Sequence, residues 1–159
     1  MPTNELDRID KQIINELQQD GKLSNLELAD RVALSPSPCL RRVKRLEDEG
    51  YITGYTATVD PDKIGCGLIA YVSIHLNKVS GSSHAPMESF ARDVQQWPEV
   101  VECYALSGEM DYILRVQVKD LAAFSAFSMN VLMKHPSVID MRSSFALQKI
   151  KESKMLYVK

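Results

Sequence analysis

Residues 34–50, Leu-Ser-Pro-Ser-Pro-Cys-Leu-Arg-Arg-Val-Lys-Arg-Leu-Glu-Asp-Glu-Gly, constrain the fold of this chain more than any other segment. Ser35 is placed to cap a helix, because its hydroxyl can accept a bond from a free first-turn N–H. Pro36 then takes the first helical position, where a missing N–H costs nothing. Pro38 still falls within the first turn, whose amides lack intrahelical partners anyway. Gly50 suits the C′ position that ends the helix. Leu40, Val43 and Leu46 recur every three residues and predict one apolar face. Four cations, Arg41, Arg42, Lys44 and Arg45, crowd into five positions mainly off that face. They are placed to reach phosphate and base edges. A helix of this kind, entered by a short turn from another helix, is the reading element of a helix-turn-helix.

Charge balance limits how such a helix can work. Residues 1–60 hold 8 Lys/Arg against 11 Asp/Glu, and residues 61–159 hold 11 against 10. Attraction to nucleic acid therefore cannot come from the net charge of a domain and rests on the local cluster at 41–45. Glu5, Asp7 and Asp10 lie near the first helix, and Glu47, Asp48 and Glu49 follow the cations. Acids at a helix C-terminus oppose the macrodipole. Cys39, Cys66 and Cys103 are odd in number and far apart, so neither a disulfide framework nor a zinc module follows. His75, His84 and His135 show no ligand spacing with them. No apolar run approaches the roughly 20 residues that span a bilayer, and the N-terminus has no signal-peptide core. The expectation is a soluble, intracellular protein with no membrane partner and no metal.

Along the chain, Ile9, Ile13, Ile14 and Leu17 predict a first helix, with Asp7 as its cap and Asp20-Gly21 as its end. Ser24-Asn25-Leu26-Glu27 is a capping box that opens a short helix with Leu28, Ala29 and Val32 inward. Ala33-Leu34-Ser35 is then the turn into the cationic helix. Residues 51–59 are rich in β-formers around Gly54 and predict a short hairpin, the wing of a winged helix-turn-helix. Residues 61–67 read as a connector, giving domains at 1–60 and 68–159. In the second half, strands are expected at 68–76, 100–106, 112–118 and 138–147, helices at 87–96 and 121–133, and a loop at 77–86. Trp97-Pro98-Glu99-Val100-Val101-Glu102 is echoed 38 residues later by His135-Pro136-Ser137-Val138-Ile139-Asp140. In both, Pro stops a helix and a strand begins. The order βαββαβ is the ferredoxin-like pattern, so the fold class is α+β.

Several motifs stand in register: Leu6-Asp7-Arg8-Ile9-Asp10, Ser35-Pro36-Ser37-Pro38-Cys39, Arg42-Val43 with Arg45-Leu46-Glu47, and Gly108-Glu109-Met110-Asp111-Tyr112. Together they closely resemble the Lrp/AsnC family of bacterial and archaeal transcription regulators, over nearly the whole chain and nearest its leucine-responsive branch. The resemblance implies an N-terminal winged helix-turn-helix over about 6–67 and a C-terminal ferredoxin-like, ligand-sensing RAM domain. It implies homodimers that assemble into octamers, double-stranded DNA and an amino acid as partners, and activation or repression of genes from a cytoplasmic, nucleoid-associated location. No cofactor is implied beyond the amino-acid effector. The recognition helix aligns with residues 36–49. Ser35, Ser37, Arg41, Arg42, Lys44 and Arg45 become the DNA-contact candidates. For Arg42, an ion pair with a nearby acid is a competing role.

The Gly108–Tyr112 stretch matches the family's G-x-x-D-Y effector loop. Gly permits close backbone approach, a turn exposes N–H groups to a carboxylate, and Asp111 is placed to accept from an α-ammonium. The competing reading is a tight hairpin in which Asp111 caps the turn and Tyr112 enters the core. Ser143 and Ser144 are candidates to supply hydroxyls from a neighbouring subunit, or are ordinary strand surface. Leu106, Met110 and Met141 are candidate pocket walls suited to an aliphatic side chain, and Glu109 completes the effector set. An enzyme using Glu109 and Asp111 as paired carboxylates is disfavoured, since no nucleophile–base constellation, metal spacing or phosphate loop accompanies them. A nucleoid-organising protein that wraps DNA with weak sequence preference is the alternative function.

Overall fold

The structure, a computed structural model, describes residues 5–77, 85–153 and 155–158. It divides into two compact units, Met1–Thr58 with Ile150–Lys159, and Val59–Lys149.

Among the described residues, the first unit holds three helices, α1 (Arg8–Gln19), α2 (Asn25–Arg31) and α3 (Pro36–Asp48). Two of them start on reciprocal capping boxes. Asp7 accepts from the Asp10 N–H at 2.8 Å while its own N–H donates to the Asp10 carboxylate at 3.1 Å. Ser24 and Glu27 do the same for α2. Ala33 turns the chain into α3 at φ 54°, a left-handed conformation that a side chain tolerates poorly. Ile13, Ile14, Leu28, Ala29, Val32, Cys39 and Leu46 form the core.

Three expectations for this unit need correcting. Ser35 stands at the N-cap of α3, but its hydroxyl makes no capping bond. The reason lies in Pro36 and Pro38: the third helical position is proline, so its usual donor is missing. Leu40 is 44% exposed, and Cys39 takes its place on the inner face with Val43 and Leu46. A strict three-residue spacing drifts around a helix of 3.6 residues per turn, whereas 39, 43 and 46 stay on one side. Finally, no strand forms at 51–59, and all of these residues but Ile52 are exposed. Among the described residues the β-rich stretch has no neighbouring strand to complete a ladder. Tyr55 instead donates to Glu47 Oε1 at 2.9 Å, and burial, then that carboxylate, push its phenol up to about 12.

The last ten residues fall in the first unit rather than with the strands that precede them. Gln18 donates to the Leu156 carbonyl at 3.0 Å and accepts the Leu156 N–H at 2.6 Å. Val158 packs on the helical core.

The second unit follows the order β1 (Leu68–Leu76), α4 (Ala85–Asp93), β2 (Val100–Ala105), β3 (Tyr112–Val118), α5 (Leu121–Phe127) and β4 (Val138–Phe145). The four strands form one antiparallel sheet in the order β2-β3-β1-β4, the ferredoxin-like arrangement. Alternation along β1 and β3 sends Ala70, Val72, Ile74, Leu114 and Val116 to one face. There they pack with Phe90 of α4 and with Phe124 and Phe127 of α5. Helix α4 begins at Ala85, two residues before the expected start, and most of the expected loop at 77–86 (residues 78–84) lies outside the described residues. Helix α5 passes into a wider π-helical turn, Ser128–Leu132.

The sequence echo is also an echo of geometry. The Trp97 N–H donates to Val94 O, and the Val100 N–H to Trp97 O. The His135 N–H donates to Leu132 O, and the Val138 N–H to His135 O. The two rings meet edge to face at 6.0 Å.

Candidate nucleic-acid interface and effector loop

On α3 the candidate residues separate into two sets by helical position. Ser37, Arg41 and Lys44 are spaced i, i+4 and i+7, so they share one stripe, and all three are exposed. Arg41 and Lys44 make no hydrogen bond or ion pair among the described residues. The exposed Ser35 hydroxyl stands just before this stripe, at the start of the helix.

Arg42 and Arg45, both candidates for DNA contact, pair with acids of α1; for Arg42 this is the competing role that the sequence already offered. Arg42 Nη1 donates to Asp7 Oδ2 at 2.6 Å and to Asp10 Oδ1 at 2.8 Å. Arg45 Nη2 donates to Asp10 Oδ2 at 2.5 Å. Asp10 is 1% exposed, so its carboxylate is fully enclosed by these partners and the helix end. The carboxylates sit at the start of α1, where the positive end of the macrodipole also favours them. The Asp10 N–H bond, together with the Arg42 guanidinium, holds the Asp7 carboxyl down at about 2. The bonds that Arg42 donates to Asp7 and then to Asp10 raise it above its ordinary value. The role of Asp10 was missed in the sequence, although Asp7-x-x-Asp10 at capping spacing, opposite a cation run, was a usable signal.

The effector loop joins β2 to β3. Gly108 takes φ 143°, a conformation that suits glycine. Asp111 is 5% exposed and its Oδ2 accepts the Leu76 N–H at 2.8 Å. Its backbone N–H donates to Ile74 O at 2.9 Å, and its carbonyl accepts from Leu106. His75 Nδ1 lies 3.2 Å from the same carboxylate oxygen, though without hydrogen-bond geometry. Tyr112 is 7% exposed, lies against Phe90 at 5.0 Å and donates to the Met87 carbonyl at 3.3 Å. Asp111 and Tyr112 thus build the hairpin rather than present themselves to solvent. The reason is register: Tyr112 alternates with Leu114 and Val116 on the covered face.

Leu106, Gly108 and Glu109 are exposed and Met110 is half-buried. Glu109 meets Arg142 of β4 at 3.4 Å, a contact between two exposed side chains. Met141, Ser143 and Ser144 lie on β4 opposite Ile74, Val72 and Tyr71 of β1. Alternation puts Met141 and Ser143 on the helix-covered side with Phe145, which touches Phe124, and Ser144 on the open side. The two serines therefore do not converge on one point within a single chain.

Two family profiles match this sequence. One, described as a winged helix-turn-helix DNA-binding domain, covers residues 6–53. The other, described as the Lrp/AsnC ligand binding domain, covers residues 69–156. The chain belongs to the Lrp/AsnC family. It is a DNA-binding transcription regulator with a ligand-binding domain, not an enzyme. The leucine-responsive regulatory protein of Escherichia coli K12 is 42% identical over 99% of this chain and 94% of its own. A transcriptional regulator of Neisseria meningitidis, solved as its L-Met complex, superposes with a TM-score of 0.91 at 44% identity, covering 96% of this chain and 97% of that one. An AsnC family regulator of Agrobacterium tumefaciens gives 0.87 at 38% identity, over 95% and 96% of the two chains. No helix among the described residues is long and apolar enough to cross a membrane.

Proposed function

We propose that this regulator reads operator DNA with the outer stripe of α3 and changes its DNA occupancy when an aliphatic amino acid binds beside the Gly108–Tyr112 loop. The observation that carries the reading is the sorting of cations on α3. Arg41 and Lys44 are presented outward with Ser35 and Ser37, while Arg42 and Arg45 hold the helix to α1. Arg suits bidentate contact with guanine or phosphate, and Lys suits phosphate. The test is a gel shift with Arg41→Ala combined with Lys44→Ala. Loss of binding with unchanged oligomer size supports the assignment, and wild-type affinity would sink it.

For the effector, the exposed Leu106, Gly108 and Glu109 and the half-buried Met110 and Met141 frame the site, while Asp111 holds the loop on β1. Support for an aliphatic amino acid comes from the L-Met complex of the Neisseria regulator and the leucine-responsive name of the enteric relatives. Ser143 and Ser144 contribute from a second subunit. A thermal-shift screen of the twenty amino acids tests this, because a ligand that binds only the folded state raises its melting temperature. A positive shift for leucine or methionine, lost in Gly108→Val, is expected. A flat screen refutes it.

Assembly is part of the reading. The face of the sheet turned away from α4 and α5 carries Tyr71 and Tyr104, 44% and 59% exposed. Ile113 of β3, opposite Tyr104, adds to this face, and the exposed rings suit a second copy of the sheet. Homodimers formed there and joined into octamers would multiply weak operator contacts. Tyr104→Glu should give monomers by light scattering. Such a regulator works in the cytoplasm, at the nucleoid.

A further inference from the structure

The acids at the start of α1 are opposite in sign to what a DNA-binding surface needs, yet they bind two of the four cations of the reading helix. We infer that Asp10 is a specificity-determining positioning residue, an internal substitute for phosphate that withholds Arg42 and Arg45 from DNA. The inference rests on α3 being the reading helix.

Guanidinium–carboxylate and guanidinium–phosphate pairs are the same chemistry. Here the carboxylate is permanently present, 1% exposed and engaged through both oxygens, one by each arginine. Arg45 is drawn in far enough that its Nε is buried with no partner among the described residues. For either arginine to reach a phosphate, it must leave a buried carboxylate behind with part of its charge uncompensated, which is strongly opposed. Asp7 adds a second, more exposed acceptor for Arg42. The outcome is a helix that keeps four cations for solubility and packing but offers two to DNA. Sequence-independent attraction scales with the number of phosphates neutralised, while discrimination comes from base contacts. Withholding two cations lowers the first and leaves the second intact, so the ratio of specific to non-specific binding rises. The acidic balance of residues 1–60 acts in the same direction.

The experiment measures affinity against salt concentration for two duplexes, one enriched from a random pool by the wild-type protein and one scrambled. Asp10→Asn, shown by circular dichroism to be folded, should bind the scrambled duplex roughly tenfold more tightly at low salt, with a log–log slope steeper by about 1–2 as each released arginine adds about 0.9. The preference for the enriched duplex should fall. A folded Asp10→Asn with wild-type slope and preference overturns the inference. Where that variant does not fold, Arg42→Gln decides, because Arg45 still satisfies Asp10. Its slope should equal wild type, whereas Arg41→Gln should lose about 1. An Arg42→Gln slope that falls with that of Arg41→Gln overturns the inference alone. An Arg41→Gln slope equal to wild type overturns the reading of α3, and the inference with it.

Discussion

The two units are fastened by different physics. In the sheet unit, thirteen buried apolar side chains among the described residues form one cluster, with Phe90 wedged among Trp97, Tyr112 and His135. In the helical unit the buried cluster has seven members among the described residues, and a charged seam of Asp7, Asp10, Arg42 and Arg45 closes the α1–α3 contact. Apolar burial is non-directional. A carboxylate held by two guanidinium groups fixes the rotation of one helix against another. The sheet unit needs a stable platform. The helical unit carries Ser37, Arg41 and Lys44 on the exposed stripe of α3, and the charged seam fixes that rotation.

The largest effect expected from breaking this contrast is in the sheet unit. Phe90→Ala leaves a cavity among aromatic rings and should cost about 3–5 kcal/mol. The single tryptophan, Trp97, lies 5.5 Å from Phe90 and reports it directly by fluorescence during denaturation. A loss under about 1 kcal/mol would mean the site collapses without strain.

In the helical unit, Asp10→Ala takes from Arg45 its carboxylate partner and leaves Arg42 with Asp7 alone. About 3 kcal/mol is expected, at the low end for breaking a buried pair because both arginines keep partial access to water. Denaturation followed by far-ultraviolet circular dichroism checks it. An equally large loss in Leu28→Ala but none in Asp10→Ala would make the seam dispensable.

Acid should find the same seam. The folded Asp7 carboxyl lies near 2, below its ordinary value of 3.8. A lowered carboxylate contributes stability above its unfolded value and loses it as pH falls through the folded one, here between about pH 4 and pH 2. Because half of the Asp7 side chain is exposed, solvent screening cuts the contribution to about 1 kcal/mol. Asp7→Asn should flatten that part of the stability–pH curve.

The smallest pair sharpens the comparison within one unit. Ser24→Ala removes a capping bond and should cost about 1 kcal/mol. Ser35→Ala removes a hydroxyl with no capping bond, so its stability should change by no more than a few tenths of a kcal/mol. If Ser35→Ala nevertheless weakens gel-shift binding, the hydroxyl belongs to the DNA-facing stripe.

Much of the fold was legible because it depends on local pattern. Leu68–Leu76 and Tyr112–Val118 alternate or run as strands must, and the Asp7 and Ser24 capping boxes mark helix starts by spacing alone. The site was legible only in outline. That residues 41–45 bear cations is written in the chain; which of them turn outward is not. That depends on α1, more than 30 residues away in sequence, supplying Asp10 at the right height. The role of Asp111 depends on the Leu76 N–H, 35 residues away, and the wing-like stretch at 51–59 lacks a neighbour to pair with.

The sequence by itself determined the helix-turn-helix order, the βαββαβ succession and the family. Periodicity, capping and turn chemistry act over a few residues, so the string alone carries them. The tertiary structure decided which two cations of α3 pair with α1 and which two stay exposed, that Asp111 accepts from the Leu76 N–H and that the C-terminal tail returns to α1. Each is a contact between residues far apart in the chain, and burial sets its strength.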